Sequence, residues 1–172
     1  MKCFSLVHAS LGDIVEVYCI WDLYKQLGKL YNRGYFRMIS SLIKLDDLDG
    51  AENILVEWES VNTSFDFDIP NLLINAYCRK GHVEKAEAYI SRAVERGQRP
   101  TAGIWDRLAM GYYKDNQMAK AVETMKKAIM ADQRRWELNH VTLTACVKYL
   151  TENGETEAAD KFSRLRSGHL CE

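Results

Sequence analysis

Apolar residues recur along this chain at helical spacing. Leu73 and Tyr77 lie four apart on one face, and Ala86, Ile90 and Ala93 form an i, i+4, i+7 stripe. The same pattern returns 35 residues later, where Ile69 meets Ile104, Leu73 meets Leu108, Tyr77 meets Tyr112 and Ala86 meets Ala121. Stepping back by 35 gives Met38, Leu42, Asp46, Ala51, Leu55 and Trp58. Stepping forward needs 38 and gives Cys146, Leu150, Gly154 and Ala159, with the three extra residues in the stretch RRWELN. A period of this length, with helical spacing inside it, predicts an array of helix pairs.

The turns repeat as well. Gly81 follows the first helix of its pair, where a left-handed C-terminal cap is wanted. Asn116 tolerates that conformation, Gly154 repeats it, and Asp46 is a poorer substitute. Gly97 and Pro100 close the second helix. The small residue at 51, 86, 121 and 159 lets the two helices of a pair approach closely. One pair cannot bury both its apolar faces, so neighbouring pairs must stack. The expected fold is all-α, a right-handed superhelical solenoid of helix–turn–helix repeats. Its expected units are 32–66, 67–101, 102–139 with the short insertion, and a degenerate last unit over 140–172. Residues 1–31 read as a partial unit. Asp13 and Glu16 have capping-box spacing before the helix IVEVYCIWDLYKQL, and residues 3–10 resemble the remnant of a preceding helix. That opening is expected to be a truncation leaving an apolar flank. The final helix is expected to end near Gly168.

Composition narrows the functional classes. Of the 172 residues 47% are hydrophobic and only 2 are proline, which suits a packed helical array. With 23 basic and 24 acidic side chains the net charge is -1, which excludes coating nucleic acid by bulk charge. Charge is uneven, however: residues 1–67 carry -4, residues 68–138 carry +4 and the tail -1. The apolar runs are too short to span a bilayer, so no membrane partner is expected. Cys3, Cys19, Cys78, Cys146 and Cys171 form no CxxC, which fits a reducing compartment. The four histidines are dispersed, and Asp46, Asp47 and Asp49 lack the glycine and glutamate of a calcium loop. Those aspartates read as a solvated, helix-capping turn. No phosphate-binding, nucleophile-elbow or zinc-protease motif is present. Neither enzyme chemistry, a cofactor, a metal nor a small-molecule substrate is expected.

The run L-I-N-A-Y-C-R-K-G from Leu73, then V-E-K-A-E from Val83, then G-x-x-P from Gly97, resembles the pentatricopeptide repeat. The stretches ISSLIKLDDLDGAENILVEWES and GYYKDNQMAKAVETMKKAI resemble the plant organellar group made of standard-length repeats. The resemblance implies a non-catalytic binder of single-stranded RNA, acting in the processing, stability or translation of organellar transcripts. It also implies mitochondria, with the chloroplast as the alternative, although MKCFSLVHASLGD has neither signal- nor transit-peptide character. A protein-interaction scaffold, for instance a subunit associated with mitochondrial ribosomes, is the competing reading.

The resemblance also assigns residues. Base choice in the family rests on a polar residue early in the first helix and the last residue of the repeat. Carried over, the pairs are Phe36 with Asp66, Asn71 with Thr101, and Asp106 with Asn139, while Thr144 opens the last unit. Asn71 presents both a donor and an acceptor to a base edge, Phe36 can only stack, and Asp106 only accepts. At the aliphatic sandwich position stand Arg33, Asp68, Gly103 and Val141, of which Val141 alone conforms. Lys44, Arg79 and Lys114 recur near the ends of successive first helices, where the family places a cation on phosphate; Glu152 breaks the series. The same cations complement helix dipoles, worth about 0.3–1 kcal/mol each. Among the tryptophans, Trp58 falls on a core stripe, as do Tyr77 and Tyr112, whereas Trp105 is open between packing and base stacking. Cys78 and Cys146 read as small buried residues.

Overall fold

A computed structural model describes residues 13–61, 68–131 and 139–166. Asp13 starts the first element: its Oδ1 accepts from Val15 N at 2.9 Å and Glu16 N at 3.2 Å. The helices are α1 (Ile14–Gln26), α2 (Asn32–Lys44), α3 (Leu48–Val61), α4 (Asp68–Lys80) and α5 (Val83–Glu95). They continue with α6 (Ala102–Lys114), α7 (Met118–Met130), α8 (His140–Glu152) and α9 (Thr156–Arg166). Among the described residues there is no strand, and no helix is long and apolar enough to cross a membrane.

The turn inside each pair has one geometry. Asp46, Gly81, Asn116 and Gly154 sit at φ 68°, 79°, 58° and 78°. In each turn the next residue's N–H reaches back to the helix: Asp47 to the Leu42 carbonyl, His82 to Tyr77, Gln117 to Tyr112 and Glu155 to Leu150, each at 2.9 Å. This 6→1 bond satisfies a carbonyl that the helix end would otherwise leave unpaired. A Cβ at Gly81 would meet nothing within 4 Å, so the glycine serves backbone conformation alone. Gly81→Ala is therefore expected to lower stability by about 1–2 kcal/mol. Asn116→Gly, at a site already occupied by a tolerant residue, should stay within about 0.5 kcal/mol of the parent. Urea titration of both variants checks the contrast.

The chain divides into two compact units, Met1–Ala76 and Tyr77–Glu172. In the first, α1 and α3 both pack on α2. Trp58, buried on α3, donates from Nε1 to Asn32 Oδ1 at 2.9 Å, pinning the second helix to the start of the first. Trp21 meets Tyr35 edge-on at 5.1 Å. Asp47 accepts from Gly50 N and from the Tyr18 hydroxyl, both at 2.8 Å, so one carboxylate caps α3 and ties it to α1. In the second unit α5 packs on α6, α6 on α7 and α8, and α8 on α9. Ala51, Ala86, Ala121 and Ala159 are all buried, as close approach of the paired helices requires. Tyr77 and Tyr112 are buried as well, each with a lysine over its ring: Lys85 and Lys120, both 5.2 Å from the centroid.

Candidate nucleic-acid interface

The residues that family resemblance assigns to bases occupy unlike environments. Phe36, in the second turn of α2, is 41% exposed and offers a ring face. Asn71, on the first turn of α4, is half-buried, and its Oδ1 lacks a protein hydrogen-bond partner, as does Asn75 Oδ1 one turn later. Asp106 on α6 is only 6% exposed, so little of its carboxylate is within reach of a ligand. Thr101 stands exposed before α6, its hydroxyl not used as a cap. Asn139 is different. Its side-chain oxygen accepts from Thr142 N at 3.1 Å, so its acceptor serves the start of α8. Thr144, one turn into α8, is exposed, and Val141 beside it is 66% exposed. Asp66 lies outside the described residues, as do Trp136, residues 3–10 and Gly168.

The three cations share one local setting. Lys44 ends α2 in the first unit; in the second, Arg79 lies in the last turn of α4 and Lys114 ends α6. All three are exposed, and none forms an ion pair among the described residues. Glu152, at the equivalent place on α8, instead accepts Lys148 at 3.7 Å.

On the α6–α8 side of the second unit lies an open groove of about 710 Å³. Its walls include Tyr113 from α6, and Val141, Thr144, Lys148, Tyr149 and Glu152 from α8. Sequence reasoning missed Tyr113, Lys148 and Tyr149. The signal for Tyr113 was its neighbour: Tyr112 takes the core, and a rotation of about 100° per residue turns the next ring away from it. Trp105, left open by sequence, is half-buried with Lys127 5.0 Å from its ring centroid.

Burial pushes the Cys78 thiol up to about 11, partly offset by Arg107, and the Cys146 thiol up to about 12, with help from the Asp106 charge. Neither supplies a thiolate near neutrality. Alkylation at pH 8 should modify the exposed Cys19 while leaving Cys78 and Cys146 unmodified until the chain unfolds, as peptide mass mapping would show. An ordinary thiol titrates near 9.0, so the folded state binds the extra protons. That stabilisation is complete below pH 9 and is lost as pH rises through 11–12.

Helix pairs linked by one repeated turn define a helical-repeat protein. The model of the PPR repeat matches residues 69–98. A mitochondrial pentatricopeptide repeat-containing protein of Arabidopsis thaliana is 41% identical over 165 residues, covering 95% of this chain and 34% of the relative. The large ribosomal subunit protein mL101 of the same plant is 34% identical over 163 residues, covering 92% and 33%. The crystal structure of the maize pentatricopeptide repeat protein PPR10 superposes with a TM-score of 0.69 at 23% identity, over 91% of this chain and 22% of that one. Its complex with an 18-nt psaJ RNA element gives 0.59 at 23% identity, over 86% and 22%. The chain belongs to the pentatricopeptide repeat family. It spans about a third of the length of the curated relatives it matches.

Proposed function

We propose that this chain is a non-catalytic binder of single-stranded RNA, acting on mitochondrial transcripts in their processing, stability or translation. The observation that carries the reading is the recurrence of Lys44, Arg79 and Lys114, exposed and without an ion-pair partner, at the ends of first helices. A phosphate ester is the ligand such a series suits. Half-exposed Phe36 and Asn71, with exposed Thr101 and Thr144, supply ring and polar contacts for bases. PPR10, whose fold this chain shares, is itself seen with a single RNA element. The mitochondrial assignment follows the Arabidopsis relative at 41% identity. Filter binding at several salt concentrations tests the reading. Single-stranded RNA should bind, duplex should bind less well because pairing hides base edges, and affinity should fall as salt rises. No affinity for any single strand at low salt would overturn it.

One observation favours a second reading, a scaffold inside a protein assembly: the relative at 34% identity is a ribosomal subunit protein. Buried Asp106 and the capping role of Asn139 point the same way, since both withdraw polar groups from base reading. Co-purification with ribosomal particles in the absence of RNA affinity would select it.

A further inference from the structure

Aromatic rings in the second unit fall into two groups. Tyr77, Tyr89, Trp105 and Tyr112 each carry a cation, from Lys85, Arg92, Lys127 and Lys120 in turn, and Phe162 is buried. Tyr113 and Tyr149 are different. Both are half-buried, both line the α6–α8 groove, and neither makes a ring contact among the described residues. Lys148 lies on the same groove with its side chain 76% exposed, and Lys114 adjoins Tyr113 in sequence. Glu152 is the one carboxylate on the groove wall, and Lys148 already neutralises it.

We propose that this groove holds an unpaired nucleobase of single-stranded RNA against the rings of Tyr113 and Tyr149, with the Lys148 ammonium on the adjoining phosphate. The proposal rests on the RNA-binding reading and adds a stacking site that the base-choice positions do not include. An open groove of about 710 Å³ has room for a flat ring, and every base presents a π-face that a tyrosine can stack upon. The occupant is fixed by charge. Residues 68–138 carry +4, and the cations at the groove suit a polyanion better than an acidic or neutral peptide. An exposed Lys148–Glu152 pair is weak, so phosphate competes for the lysine at little cost. Thr144 lies on the same wall, where its hydroxyl can meet the edge of the stacked base.

Fluorescence anisotropy with labelled oligo(A), oligo(C) and oligo(U) on the full chain tests this. Replacing both rings (Tyr113→Ala with Tyr149→Ala) should weaken binding by about 5- to 100-fold and leave the salt slope unchanged. The corresponding double change to Phe keeps the ring faces and should stay within about 2-fold of the parent. Lys148→Gln should reduce the salt slope by about 0.7, and Glu152→Gln should tighten binding. Oligo(A) carrying 2-aminopurine should lose fluorescence on binding the parent chain, a stacking signature independent of any variant's folding. If the parent binds RNA but 2-aminopurine is not quenched, or the double Ala variant binds as tightly, the groove proposal fails and the RNA reading stands. If the parent binds no single strand, both fail together. A groove that instead binds peptide in competition with RNA also overturns the proposal.

Discussion

Replacing Lys44, Arg79 and Lys114 together by glutamine is expected to weaken single-stranded RNA binding on the order of 50-fold at 0.15 M salt. The slope of log K against log salt should flatten by about 2 units. The size follows from counterion release: each phosphate neutralised on a single strand contributes about 0.7 to that slope. The helices themselves should suffer little, because an exposed cation in a helix's last turn contributes only about 0.3–1 kcal/mol through the dipole. Circular dichroism of the triple variant should therefore match the parent. Asn71→Ala should act differently, changing the preference among bases while leaving the slope alone, because edge contacts release few counterions. If the triple variant binds as tightly as the parent, these cations serve helix ends and nothing more.

Trp58→Ala is expected to destabilise the first unit by about 3–5 kcal/mol, read from urea unfolding of the full chain. The indole is 1% exposed between α2 and α3, so its loss opens a cavity in a dense core. It also removes the Nε1 bond to Asn32 that fixes the start of α2. Trp58→Phe keeps part of the volume and should cost less. Val56→Ala on the same helix, at a residue 52% exposed, should stay within about 0.5 kcal/mol. A similar loss at Val56 would mean that α3 responds to helix propensity and not to the core that Trp58 fills.

Much of the fold is legible in the sequence because its causes are local and recur. Gly81 and Gly154 mark turns that need a positive φ, and their counterparts Asp46 and Asn116 take the same conformation despite their side chains. The alignment of residues 51, 86, 121 and 159 singles out alanine before any helix is placed, and all four are buried. Asp13 caps α1 as its spacing from Glu16 predicts. Sequence is less informative about the candidate interface. Phe36, Asn71 and Asp106 are equivalent by period, yet one is open, one half-buried and one nearly closed.

By itself, then, the sequence determined the helix pairs, their turns, their buried small residues and the family, because backbone dihedrals and 3.6-residue periodicity are set by the chain's nearest neighbours. Only the tertiary structure decided which polar and aromatic groups remain available to a ligand. Asn139 could read a base or cap a helix, and the Thr142 N–H claims its oxygen. Tyr112 and Tyr113 are adjacent in sequence, but Lys120 from α7 covers the first ring while the second lines the groove beside α8. Trp105 could stack on RNA, and Lys127 from α7 covers one face. In these last two cases the deciding partner stands on another helix, brought there by packing and not by position along the chain.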